Sequence, residues 1–262
     1  MKSRYIYTLI IFAIGFILYS CGEDTVKPPV TDDTNKFFPT TINSWWTYTN
    51  YELDRDGKKI DESVFSSKYI LSGKVDKDGK EASVFDVQDL SGNKIEDSRF
   101  YYAYRTQIFE YSKLLPPLDF SLPIDIPMTW YKIADEKVTE WTLFTQKLDN
   151  AEFQFGGYSV TLDDTFKVKM KYEGTESVTY GTNMDQSVNA KKFKMSYIYG
   201  GNAKYSGFPI QIPFTVESVN YYADGIGLVK HVMLPMSITL MNTEFYRMPG
   251  SEQVLLEYYI EK

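Results

Sequence analysis

The sequence predicts an all-β, mainly antiparallel protein built as a strongly curved sheet or an incomplete barrel. Three observations carry this reading. Phe166-Lys-Val168-Lys-Met170-Lys-Tyr172 alternates apolar and basic residues without a break, a period of two that puts one set of side chains on a core and the other in water. Phe193-Lys-Met195-Ser-Tyr197-Ile-Tyr199 keeps the same period. The chain is 16% aromatic, with 22 Tyr, 17 Phe and 4 Trp in 262 residues, and such side chains favour a pleated, half-buried surface. No stretch long enough for a helix carries an apolar stripe at helical spacing.

The first segment is an export signal by its layout. Lys2 and Arg4 precede an uncharged run from Ile6 to Leu18, too short to span a bilayer, which takes about 20 residues. Leu18-Tyr-Ser20-Cys21 follows, and Cys21 is the only cysteine. A lone thiol in an exported chain has no internal disulfide partner. This stretch resembles the lipobox of bacterial lipoproteins, with Tyr19 in place of the commoner small residue. The resemblance implies cleavage between Ser20 and Cys21 and lipidation of Cys21 by diacylglyceryl and an amide-linked acyl chain such as palmitate. Two acyl chains suffice for lasting attachment. Residues 1–20 are then the signal peptide, and removing Lys2 and Arg4 takes the formal charge from −7 to −9. That acidic body argues against nucleic acid or anionic lipid headgroups as partners, because phosphates would be repelled. Gly22-Glu23-Asp24 resembles sorting signals for the outer membrane, on its cell-surface or periplasmic face. Residues 21–36, with Lys27-Pro28-Pro29-Val30, read as a flexible tether.

Residues 37–262 are expected to form a single β domain. Trp45 to Tyr51 opens it, and Ser83 to Val87 and Phe100 to Arg105 continue the alternation. Asp54-Arg-Asp56-Gly57, Asp76-Lys-Asp78-Gly79 and Ser91-Gly92-Asn93 lie between apolar runs, and such pairs tolerate the positive φ of tight hairpins. Residues 45 to 105 are therefore expected to be a four-stranded meander. Residues 114–130 hold four prolines, which cannot donate to a central ladder, so the stretch is expected to be a long ordered crossover or flap between two antiparallel halves. The second half runs from about residue 137, through Glu140 to Phe144 and on to Leu255–Tyr259. Within it, Phe208-Pro-Ile210-Gln-Ile212-Pro-Phe214 is expected at an edge or in a loop.

Two further stretches carry a family likeness. Phe37-Phe38-Pro39 with Asn43-Ser44-Trp45-Trp46-Thr47-Tyr48 resembles the F-P…N-x-W-x-Y opening of a set of uncharacterised bacterial lipoproteins, with Ile42 where they carry glycine. Tyr221-Tyr222-Ala223-Asp224-Gly225-Ile226-Gly227-Leu228-Val229-Lys230 is similar to their Y-x-A-x-G-V-G-L-V-K segment. The likeness implies a fold similar to the half-barrels of lipoprotein carriers, in which a curved sheet cups an apolar ligand. It transfers no activity. Read as residues, Gly225 and Gly227 supply backbone freedom before a strand, and Trp45, Trp46 and Tyr48 supply packing.

Catalytic chemistry has little to stand on. His231 is the single histidine and lies beside Val232 and Met233, which suits a structural role. No Gly-x-Ser-x-Gly elbow, phosphate-binding glycine loop or zinc ligand set occurs, so neither a cofactor nor a metal is expected. Asp163-Asp164, Asp54/Asp56 and Asp76/Asp78 could serve glycoside hydrolysis only at a defined separation in a cleft, and turn roles are favoured. The leading expectation is a non-enzymatic, membrane-anchored envelope lipoprotein binding an apolar or amphiphilic ligand or an envelope protein, with Trp130, Trp141 and Phe144 as ligand-facing aromatics. The alternatives are a surface glycan-binding lipoprotein using exposed rings and, last, a carboxylate-dependent glycoside hydrolase.

Overall fold

The computed structural model describes residues 37–155, 158–240 and 243–261, all within one compact unit. The expected signal peptide, the Ser20–Cys21 cleavage point and the tether lie outside the described residues. The strands in chain order begin with a meander of β1 (Trp45–Leu53), β2 (Lys59–Lys77), β3 (Lys80–Gln88) and β4 (Lys94–Tyr104), extended by β5 (Gln107–Ser112) and β6 (Thr129–Asp135). The second half opens with β7 (Glu140–Lys147), a short hairpin of β8 (Ala151–Phe155) and β9 (Tyr158–Leu162), and the long pair β10 (Thr165–Tyr180) and β11 (Gln186–Tyr199). Then come β12 (Asn202–Tyr205), β13 (Phe208–Gln211), β14 (Phe214–Ala223), β15 (Gly227–Met233), β16 (Met236–Leu240), β17 (Thr243–Met248) and β18 (Gly250–Tyr259).

Twelve of these strands form one antiparallel sheet in the order β6-β5-β4-β3-β2-β1-β18-β15-β14-β11-β10-β7. The sheet curls almost into a barrel, and β6 and β7 face each other across a single open seam. The all-β reading and the meander over residues 45–105 both hold. Each expected turn has a local cause. Asp54 Oδ1 accepts from the Asp56 and Lys58 amides at 2.9 and 2.8 Å. Asp76 and Asp89 hold the next two turns in the same way. The Phe208-Pro segment is β13, an edge of the small four-stranded sheet β13-β12-β9-β8.

Alternation decides the faces. Phe166, Val168 and Met170 of β10 are fully buried, and the lysines between them point outward. The outer rows are laced by ion pairs such as Lys169–Glu140 at 2.7 Å and Lys194–Glu217 at 3.1 Å. Such exposed pairs fix register more than they stabilise, at about 0–1 kcal/mol each.

The proline-rich stretch differs from expectation. It leaves β5 and returns to β6, and these two strands pair with each other directly (Glu110 with Tyr131, Ser112 with Thr129). It is an ordered excursion between neighbours and does not bridge the halves. Leu114 and Ile126 are buried, and Phe120 packs edge-on to Tyr246. Its last residues, Thr129 and Trp130, already belong to β6.

The halves join instead where β1 pairs with β18 along its whole length. The seam opposite is bridged by a side chain: Trp141 Nε1 of β7 donates to the Lys132 carbonyl of β6 at 2.8 Å. The two motifs of the family likeness also meet. Trp46 Nε1 donates to Ile226 O at 2.6 Å, and Tyr48 Oη to Leu228 O at 2.9 Å. Between these acceptors, Gly227 sits at φ +100°, with Pro39 and Trp46 3.7 Å from where a Cβ would stand.

Two substitutions test this junction. Gly227→Ala forces a left-handed backbone on a residue with a Cβ and is expected to cost about 1–3 kcal/mol. Trp46→Phe strands the buried Ile226 carbonyl, at about 1–3 kcal/mol. Urea unfolding should show lower midpoints with an unchanged slope, and native-like midpoints for both would refute the junction's role.

Candidate functional site

Inside the curl lies a cleft of about 800 Å³. An eight-stranded barrel is just filled by its own side chains, so twelve strands leave space. What lines that space is not the expected apolar surface.

One wall is a polar rung across four neighbouring strands. Asn220 of β14 pairs with His231 of β15, His231 with Gln253 of β18, and Gln253 with Asn50 of β1. All four line the cleft. Direct opposition across a ladder brings side chains on one face within contact, and the bonds follow. His231 Nδ1 lies 2.7 Å from Asn220 Oδ1. Gln253 Nε2 donates to Asn50 Oδ1 at 3.0 Å, and Asn50 Nδ2 donates to Ser67 Oγ at 3.0 Å. The Asn220 oxygen can only accept, so His231 carries its proton on Nδ1 and leaves Nε2 as a lone-pair acceptor. Burial, assisted by the Arg99 guanidinium, lowers the His231 pKa from 6.5 to about 4.

The other wall is ionic. Arg99 and Tyr101 of β4 face inward, and Tyr101 stands directly opposite Glu110 of β5. Arg99 grips Glu96 with Nη2 at 2.6 Å and Nε at 3.2 Å, and lies over the Tyr69 ring at 5.4 Å. Its side chain is 36% exposed although protein surrounds it, because that surface faces the cleft. Glu110 has no hydrogen bond or ion pair among the described residues. Desolvation raises its pKa above the ordinary value, and Arg99 offsets only part of this. The hydroxyls of Tyr197 and Tyr222 also lack protein partners. Since no fully buried side-chain polar atom among the described residues is unpaired, these hydroxyls open on the cleft.

Apolar groups complete the lining, among them Ile133, Met195 and Leu228. At the mouth, Phe65 and Leu115 are 56% and 58% exposed, with Lys113 and Pro117 beside them. The proline-rich excursion thus supplies part of the rim. The arrangement offers hydrogen bonding deep inside and grease at the entrance, which suits binding.

The expected ligand-facing aromatics lie elsewhere. Trp130 is on the outer face, donating to Lys77 O at 3.0 Å and standing edge-on to Tyr102 and Tyr111. Trp141 and Phe144 are on the inner face of β7, packed against the core beside the seam. None of the three lines the cleft. The outer rings around Trp130 meet edge-to-face and form no coplanar sugar platform. Asp164 caps the turn to β10 through the Thr165 and Asn202 amides, and Asp163 pairs with Lys204 at 3.7 Å. Among the described residues, no three His, Cys, Asp or Glu side chains group as metal ligands. The site had a signal in the sequence: Ser218, Asn220 and Tyr222 in β14, Arg99 and Tyr101 in β4, and Gln253 in β18 all put polar groups on the inward parity of their strands.

No family model matches the chain, and no curated protein does. Among solved structures, a candidate lipoprotein of Parabacteroides distasonis aligns over 87% of this chain and 100% of its own, at 15% identity and a TM-score of 0.44. A candidate exported protein with a YmcC-like fold from Bacteroides fragilis aligns over 86% and 100%, at 12% identity and a TM-score of 0.40. Scores this low transfer neither architecture nor activity.

The pKa of His231 predicts a pH signature. The unfolded chain takes up this proton near pH 6.5 and the folded chain near pH 4. Between these values the unfolded state binds more protons, so stability falls as pH falls through that window. Glu110, raised on folding, works in the opposite sense over its own window. Melting curves from pH 7 to 4 should therefore drop more steeply for the native chain than for His231→Gln. Parallel curves would refute the assignment.

Proposed function

We propose that this chain is a lipid-anchored lipoprotein of the bacterial envelope, tethered at the outer membrane through Cys21, that holds an amphiphilic ligand in the cleft between its polar rung and Arg99. The cleft carries the reading. A protein interior is normally close-packed, and here about 800 Å³ is left open beside hydrogen-bonding groups that face inward. An enclosed space with convergent polar groups is what small-molecule sites share, and this one has a more polar lining than most. Greasy residues at the rim and polar ones at the floor favour a ligand with a tail and a head over a purely apolar one. The lipobox-like Leu18-Tyr-Ser20-Cys21 supports the address.

Glycan binding by the rings around Trp130 is less favoured because they stand edge-on to each other; on the outer face Trp45 and Tyr259 do stack, at 26° between planes, but no cleft adjoins them among those described. Hydrolysis by Asp163 and Asp164 is less favoured because Asp164 caps a turn and Asp163 faces a lysine.

Two measurements test the proposal. Mass spectrometry of the mature N-terminus should show acylated Cys21, with Cys21→Ala accumulating as uncleaved precursor, and an unmodified thiol on the native protein would sink the anchor. Organic extraction of purified native protein should release a small amphiphile in roughly molar proportion. Narrowing the cleft with Ser218→Phe should abolish its recovery. Equal recovery from that variant would place the ligand elsewhere.

A further inference from the structure

We infer that the cleft recognises an organic ammonium group, seated between the Glu110 carboxylate and the tyrosines around it. This rests on the amphiphile reading above and gives the ligand's head a chemistry.

Charge bookkeeping at the floor comes first. Arg99 is the one cation there, and Glu96 already holds it through two contacts. Glu110 is the second carboxylate and has no hydrogen-bond or ion-pair partner among the described residues. Glu252, also on the lining, is balanced by Lys59 at 2.7 Å and Lys230 at 3.0 Å. Glu52 and Lys113, both exposed, add one charge of each sign to the lining, which leaves Glu110 as the desolvated carboxylate without an ion-pair partner. Such a charge is costly alone and gains most from a cation brought to it.

The surroundings select the kind of cation. Tyr101 stands opposite Glu110 on β4, and Tyr69, Tyr197 and Tyr222 line the same cleft. Phenolic oxygens can accept from an ammonium N–H, and tyrosine rings attract organic cations. Tyr197 and Tyr222 are 6% and 3% exposed, and their unpartnered hydroxyls point into the space. Across the cleft, His231 offers the Nε2 lone pair, a second acceptor for a primary ammonium. A bare metal ion would need several oxygens at close range, and a single carboxylate does not provide them.

Other groups facing Glu110 fix the pH response. These are Arg99 and Glu96 of β4, Tyr69 of β2, Tyr197 and Tyr222 of the far wall, His231 of β15, and Lys113 at the mouth. His231 stays neutral to about pH 4, so Glu110 is the group whose protonation weakens binding as pH falls. Desolvation raises its pKa from the ordinary value, so it loses its charge at a higher pH than a free glutamate, and affinity should decline there.

The test uses the mature lipoprotein in uncharged maltoside micelles, with empty micelles as blank. Titration calorimetry compares hexyltrimethylammonium, hexylammonium, hexanoate and hexyl glucoside, with tetramethylammonium as the tail-less head. Both ammonium amphiphiles should bind at least about tenfold tighter than hexanoate, and Glu110→Gln should remove that preference, tenfold being about 1.4 kcal/mol. Glu140→Gln, on the outer face, should leave it intact. If Glu110→Gln fails to fold, Tyr197→Leu serves instead and should weaken the trimethylammonium probe more than the primary one. Tight binding of tetramethylammonium would mark a free organic cation, and a need for the hexyl tail a lipid-like headgroup; either supports the inference. Equal or tighter binding of hexanoate or the glucoside overturns the ammonium inference and leaves the amphiphile reading standing. Silence from all five probes overturns both.

Discussion

Twelve strands wound about one axis enclose more volume than their own inward side chains can fill, and most features of this protein answer to that constraint. A curved sheet gains stability by burying its inner face, yet the circumference set by the number of strands outruns the reach of the residues on it. One end is filled by rings, with Phe38, Trp46, Phe85 and Phe193 in a continuous buried cluster. The short hairpin β8–β9 and the proline-rich excursion pack on the same core from outside the main ladder. What they do not reach remains open, and polar residues line it. The winding depends in turn on the pairing of β1 with β18. That ladder brings the first and last strands together and sets Trp46 and Tyr48 under the carbonyls of Ile226 and Leu228.

Stability alone would not select this interior. A partly buried guanidinium flanked by two carboxylates is often no better than well-packed apolar residues of similar volume. An asparagine–histidine–glutamine rung likewise contributes little net stability per hydrogen bond, since each bond replaces one to water. The rung does hold its members in single orientations, leaving His231 Nε2, the Glu110 carboxylate and two phenolic hydroxyls directed at one space. Preorganised polar groups around a cavity are the usual form of a recognition site. The open seam belongs to the same economy of structure. Trp141 bonds to the Lys132 carbonyl across it, β6 and β7 form the two ends of the sheet without a ladder between them, and the curl stops short of closure.

Much of the architecture is legible in the residues. The strict alternation of Phe166 to Tyr172 reports both the strand and its buried face, because the pleat alone dictates it. The Asp-Gly turns report the meander, because positive φ is a local demand. The proline-rich stretch is legible as irregular and ordered. Its route is not, since proline excludes a central ladder without saying which strands lie on either side. The ligand-facing aromatics illustrate the other limit. Trp130, Trp141 and Phe144 are conspicuous as residue types, but two lie against the core and one on the outer face, and facing follows from strand parity and a bulge opposite Val168 and Lys169.

By itself the sequence determined the secondary structure class, the hairpin turns, the buried face of the long strands and the acidic character of the chain. These are local properties, written in neighbouring residues and their periods. Only the tertiary structure decided that Asn220, His231, Gln253 and Asn50, spread over some two hundred positions, stand side by side as one rung. It alone brought Glu110 under the tyrosines of four other strands. Ladder order and sheet curvature arise from long-range pairing, and no local period encodes which strand will be a neighbour.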